Sequence, residues 1–209
     1  TSGDAITQTA ALTVTGTSSF TTNVIDKAIT LSTGTNAFTG AVSFTTLHDG
    51  TSANVNINNG TTNLVLGLSD IHGTLTAATG GTITQTGALT VKGTSSFTTN
   101  VANKAITLDT TTNALTGAVS ATTTGAGDFT LDNGTTALNL GTISIGRNLA
   151  VTCGAAITDS GVLTVGGTSG FTTDVNDVSI TLDSSNALSG AITFTTQTGG
   201  TNSAHITLN

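Results

Sequence analysis

The sequence predicts an all-β fold, a parallel β-helix. Three observations carry the prediction: a composition that favours strands, an internal repeat that spans the chain, and alternating apolar stretches too short to fold alone. Of 209 residues, 52 are Thr and 26 are Gly; Pro, Met, Trp, Tyr and Glu are absent, and Lys plus Arg number 4. Thr, Val, Ile and Phe suit a pleated surface, whereas the residues that usually coat helices are nearly missing. Apolar residues make up 36% of the chain, enough to bury a core. The absence of Pro fits strands that have a neighbour on both sides, each needing its N–H.

The repeat comes first. Residues 6–46 (ITQTAALTVTGTSSFTTNVIDKAITLSTGTNAFTGAVSFTT) match residues 83–123 (ITQTGALTVKGTSSFTTNVANKAITLDTTTNALTGAVSATT) with 8 differences in 41 positions. A looser copy fills 157–196 with one residue deleted before Asn186, so the period is 77 and then 74 residues. Superrepeats are therefore placed at about 6–82, 83–156 and 157–209, the last incomplete, within one continuous segment. Both ends fall in mid-pattern, which predicts a piece of a longer chain.

A shorter period emerges when each apolar-Thr triplet is aligned, at Ile6, Ile29, Val55, Ile83, Ile106, Phe129, Ile157, Ile180 and Ile206, in steps of 23 to 28 residues. A unit of this size with strands of three to five residues cannot bury its apolar face, and stacking on its neighbours is the solution. The expectation is about eight turns of 23–28 residues, three turns to a superrepeat, each turn carrying strands such as residues 6–8, 12–14 and 20–22. At about 4.8 Å per turn that is a rod of about 40 Å, with a superrepeat of about 14 Å. The position after each apolar residue is Thr in all aligned turns but one, where it is Asn56, and this predicts an outward Thr column. A transmembrane β-barrel, the competing all-β reading, needs longer strands and aromatic girdles, and there is no Tyr or Trp.

The phrases Gly87-Ala88-Leu89-Thr90-Val91, Thr94-Ser95-Ser96-Phe97-Thr98, Asn113-Ala114-Leu115-Thr116-Gly117 and Gly146-Arg147-Asn148-Leu149-Ala150-Val151 resemble the repeats of filamentous-haemagglutinin-type exoproteins. The resemblance covers essentially the whole chain. It implies a right-handed parallel β-helix, in keeping with the hand of β crossovers. It also implies export by two-partner secretion or as an autotransporter-like passenger, and a place in the shaft of an adhesin, matrix component or surface fibre.

Charge excludes more than it identifies. A net charge of −7 with so few cations leaves no basic patch for nucleic acid. No 18-residue apolar run is present, so membrane insertion in this segment is not expected. One cysteine, Cys153, has no partner for an internal disulfide and reads as a stacked interior residue. His48, His72 and His205 lack metal-ligand spacing and read as surface or corner residues. Phe20, Phe97 and Phe171 recur with the long period, as do Phe44 and Phe194, and read as core filling.

The best carboxylate constellation is the next outward column, Thr9, Ser32, Asn58, Thr86, Asp109, Asp132, Ser160, Asp183 and Asn209. Asp109 and Asp132 would lie on adjacent turns about 5 Å apart, with Asp128 on the same strand as Asp132. Such a pair could hold Ca²⁺ or serve a retaining glycosidase, but a solvated polar face is the simpler reading, and neither cofactor nor catalytic residue is assigned. A lyase site would need Arg or Lys beside the acids; the chain has Arg147 and three lysines, with Lys27 and Lys104 at equivalent corners. The expectation is a non-enzymatic shaft segment outside a bacterial cell, with itself and surface glycans or proteins as partners. A carbohydrate-active or carbohydrate-binding β-helix is the alternative from another class. Ice binding through aligned Thr columns is a third.

Overall fold

The computed structural model describes residues 1–47, 53–197, 199 and 204–209. Twenty-six strands and no helix occur among them, and every pairing between strands is parallel. The chain is a β-solenoid of about nine turns, each turn contributing one short strand to each of three faces.

The first face begins with Ile6–Thr7, Ile29–Leu31, Val55–Asn58, Leu75–Thr79, Ser95–Thr99 and Val119–Thr122, stacked in chain order. The second runs through Leu64–Leu66, Ile83–Gln85, Ile106–Leu108, Phe129–Asp132, Leu149–Cys153, Ser169–Asn176 and Ile192–Gln197. The third holds Ser18–Ile25, Val42–Leu47, Ser69–Ile71, Leu89–Val91 and Ala114–Leu115 near the start, and Ile157–Asp159, Ile180–Leu182 and Ile206–Leu208 near the end. Leu138–Ile145 serves two faces: its first residues pair with Ile157–Asp159 and its last with Leu163–Val165. A register shift opposite Val119–Ala121 accommodates the corner.

This register corrects the turn assignment drawn from the triplets. Val55 pairs with Leu75, not with Ile83, and Ile83 pairs with Leu64. Likewise Phe129 pairs with Leu149, while Ile157 pairs with Leu138. Each apparent 28-residue step is thus a 20-residue turn followed by an eight-residue advance to the next face. Consequently a superrepeat is three and one-third turns, not three. Ile6, Ile83 and Ile157 are equivalent in sequence yet stand on the first, second and third faces in turn. Glycine pairs record the same step: Gly40 stacks on Gly16, Gly117 on Gly93 and Gly190 on Gly167 at three different corners.

The outward Thr column is divided accordingly. Thr7, Thr30 and Asn56 lie together on the first face and continue into Thr76, Ser96 and Ser120. Thr107 and Thr130 lie on the second face and continue into Ala150, Gly170 and Thr193. Thr158, Thr181 and Thr207 follow Asn139 on the third. One residue type in sequence makes three short ladders in space.

Inside, alternation along each strand sends Ile, Leu, Val and Phe inward, and one continuous cluster fills the coil from Ile29 to Leu182. Phe44, Phe97 and Phe171 are fully buried, while Phe20 and Phe194 pack on the cluster at its two ends. Phe20 stacks on Phe44 at 6.0 Å and Phe171 on Phe194 at 5.5 Å. Cys153 is buried in this interior, next to Thr173 on the neighbouring turn. Each fully buried Leu or Phe side chain is worth about 1.5–3 kcal/mol relative to exposure, so the coil is held over the length of this cluster rather than at one nucleus.

Candidate functional site

The polar chemistry of the chain is concentrated at the corners, and much of it points inward. Where the chain leaves one face for the next, backbone N–H and C=O groups lose their interstrand partners, and buried ones must find others. Asparagine supplies both donor and acceptor from one short side chain. Asn113 receives the N–H of Leu89 (2.8 Å) and donates to the carbonyls of Leu108 (3.2 Å) and Asp132 (2.9 Å). It also exchanges two hydrogen bonds with Gln85, at 2.8 and 2.9 Å. Asn36 and Gln8 repeat the arrangement one superrepeat earlier. In the third copy Asp159 replaces the glutamine, bonding Asn186 and the N–H of Asp183.

A second rung follows on the next turn. Asn59 accepts from the Phe38 N–H and donates to the carbonyls of Phe38, Thr62 and Asn63; Asn133 does the same with Leu115, Thr136 and Ala137. The turn after each is completed by Gly60 and Gly134, whose φ of 58° and 54° falls in the left-handed region that glycine enters freely. Buried threonines close further corners, Thr22 onto Lys27 O and Thr99 onto Lys104 O. These rungs were not singled out from the sequence, although a signal existed: Gln8/Gln85, Asn36/Asn113 and the Asn-Gly-Thr-Thr run that begins at Asn59 and again at Asn133 all recur with the superrepeat.

The carboxylates behave differently. Register places Asp109 beside Asp132 on adjacent turns of the second face, since Leu108 pairs with Leu131. Asp132 turns its Oδ1 to the Gly134 N–H at 2.8 Å and is followed on the next turn by Thr152. Asp128 stands at the opposite end of that strand, where the Arg147 guanidinium grips both its oxygens and the Asn148 N–H adds a third bond. That guanidinium holds the Asp128 carboxyl below the usual carboxylate range, outweighing the opposing effect of burial. The three aspartates are therefore not gathered, and among the described residues no group of three His, Cys, Asp or Glu could hold a metal ion. Asp183, drawn into the same column by the sequence, lies on the third face instead, bonded through its backbone to Asn209.

Of the histidines, His72 pairs with Asp70 at 3.4 Å, His205 bonds through its backbone to Ser179, and His48 lies outside the described residues. Lys27 pairs with Asp4 at 3.0 Å. Burial pushes the Cys153 thiol up, against smaller opposing hydrogen bonds from the backbone. Two recesses lie where the apolar columns run out. One, about 350 Å³, is lined by residues including Ile6, Leu12, Phe20 and Leu31, and a smaller one of about 150 Å³ by Leu188, Ile192 and Leu208. Neither gathers a titratable side chain among its described lining residues. No helix among the described residues is long and apolar enough to cross a membrane.

What the arrangement does chemically is satisfy its own backbone: donors and acceptors meet from turn to turn. A search of curated proteins matches none, and a search of solved structures likewise matches none. A family model does match, over residues 1–45, 52–122 and 126–195: repeats of unknown function, DUF5649. The chain belongs to that repeat family.

Proposed function

We propose that this member of the repeat family is a shaft segment of a secreted, fibrous protein at a bacterial cell surface, of the filamentous-haemagglutinin kind. Its task is mechanical, holding whatever it carries at a distance from its anchor. The observation that carries the reading is the unbroken stack: parallel pairing and an apolar cluster continue from turn to turn, and asparagine rungs recur with the superrepeat. In such a coil each turn contacts only its neighbours, so length can be added without a new core. Outward positions are mostly Thr, Ser and Asn, which keep the rod hydrated while offering other rods, or glycans and proteins of neighbouring surfaces, hydrogen-bonding partners along its length. As a shaft the chain performs no chemistry.

The superrepeat makes the reading testable. Three and one-third turns at about 4.8 Å give an axial step of about 16 Å, and a return to the same face after ten turns, about 48 Å. Averaged electron micrographs of native fibres are expected to show the turn spacing and the 16 Å step, each step rotated by about a third of a revolution. Compact particles without axial repeats would overturn the proposal and favour a carbohydrate-active or carbohydrate-binding protein.

A further inference from the structure

Two Asn-Gly dipeptides, Asn59-Gly60 and Asn133-Gly134, stand at equivalent corners and form the second set of rungs. In a free chain this dipeptide is chemically labile. The glycine nitrogen, unshielded by a Cβ, attacks the side-chain amide carbon of the asparagine. A C–N bond forms to close a succinimide, the bond to the side-chain nitrogen breaks, and ammonia leaves carrying the proton from the attacking nitrogen. Water then opens the ring to aspartate or isoaspartate. We propose that Asn59 and Asn133 are latent deamidation sites that the folded solenoid silences and unfolding releases, so that a copy that opens is chemically marked and cannot rebuild its rungs.

Both partners in the reaction are held. The two asparagines are wholly buried. Their amide oxygens accept from Phe38 N (2.8 Å) and Leu115 N (2.9 Å), and each amide nitrogen donates to three carbonyls at 2.9 to 3.2 Å. Swinging the side chain over the glycine nitrogen would break these bonds together, leaving the buried Phe38 or Leu115 N–H without its acceptor. The attacking nitrogens are engaged as well: Gly60 N donates to Asn58 Oδ1 at 3.0 Å and Gly134 N to Asp132 Oδ1 at 2.8 Å.

The product does not fit the site. A carboxylate at either position would face three carbonyl oxygens that now receive donors, a buried charge without a partner. Isoaspartate would add a carbon to the main chain beside the bonds Asn59 N to Ala78 O and Asn133 N to Thr152 O, both 2.9 Å, and shift the register there.

The test uses the whole chain, incubated at neutral pH either native or held unfolded in urea, with peptide mass spectrometry following loss of the amide at each asparagine. The native rate is expected to be at least about a hundredfold slower at both sites, and native and unfolded rates within about threefold of each other would overturn the proposal. Chains aged while unfolded should fail to regain native circular dichroism in proportion to their deamidation. If the aspartate and isoaspartate forms refold as stably as fresh chain, the marking is refuted. The two sites also control for each other: in folded Asp132→Ala, Asn133 is expected to lose its amide faster while Asn59 does not, and Asn58→Ala should reverse the pattern. Unchanged or uniform rates would overturn the role given to the engaged glycine nitrogen.

Discussion

Replacing Asn113 with Ala tests whether the corner rungs hold the coil together. The substitution leaves the Leu89 N–H, at the start of a buried strand, without the acceptor it meets at 2.8 Å. An unsatisfied buried donor costs about 1–3 kcal/mol. The carbonyls of Leu108 and Asp132 each lose a donor, while half-buried Gln85 loses two bonds that water can partly replace. Together these losses come to about 3–5 kcal/mol, a large share of the stability of an ordinary domain. Because the chain has no Trp or Tyr, guanidinium unfolding is best followed by far-UV circular dichroism. Hydrogen exchange at Leu89 and its neighbours reports the local loss that nearest-neighbour coupling predicts. Exposed Thr112→Ala, in the same corner, should fall within about 0.5 kcal/mol of wild type. Combined with Gln85→Ala, Asn113→Ala should show a coupling energy of about 1 kcal/mol. A cost below about 1 kcal/mol for Asn113→Ala would refute the reasoning, since the rung would then contribute no more than a surface bond.

Further outcomes follow from the same geometry. Gly117→Ala places a Cβ less than 3.0 Å from Gly93 O and should destabilise by about 1–3 kcal/mol. Gly16→Ala meets nothing within 4 Å and should be neutral or stabilising by up to about 1 kcal/mol; thermal melts of the two variants separate these outcomes. The depressed carboxyl of Asp128 contributes stability that is present above its unfolded value and is lost as pH falls through its folded value, so that window lies at and below the ordinary aspartate value. In Arg147→Ala its NMR titration should move up toward that value, and an unmoved titration would reassign the cause of the depression. Buried Cys153, its thiol pushed up, should resist alkylation in the native chain and react stoichiometrically after unfolding, as mass spectrometry would show.

Much of the fold was legible in the chain. Abundant Thr and the absence of Pro and Glu pointed to stacked strands, and the match of residues 6–46 with 83–123 pointed to a solenoid. The interior roles of Phe44, Phe97, Phe171 and Cys153 were also readable, because their neighbours alternate with the strand period. The candidate carboxylates were readable only in part. Asp109 and Asp132 do share a face, but Asp128 stands at the other end of the strand, engaged there by Arg147 of the next turn, whose approach depends on turn length. The asparagine rungs escaped notice because a polar residue at a corner reads as solvated until the chain on the next turn is known to close over it.

What the sequence determined by itself was the kind of coil: parallel strands, a stacked apolar interior and a period of 74–77 residues. What the tertiary structure decided was phase, namely that Ile6, Ile83 and Ile157 stand on three different faces. The reason is physical. An apolar-Thr-apolar triplet alternates with the same period on any face of the coil, so its pattern carries no face label. The face is set by the hydrogen-bond register between turns, and that register depends on how many residues each corner consumes before the chain meets itself again.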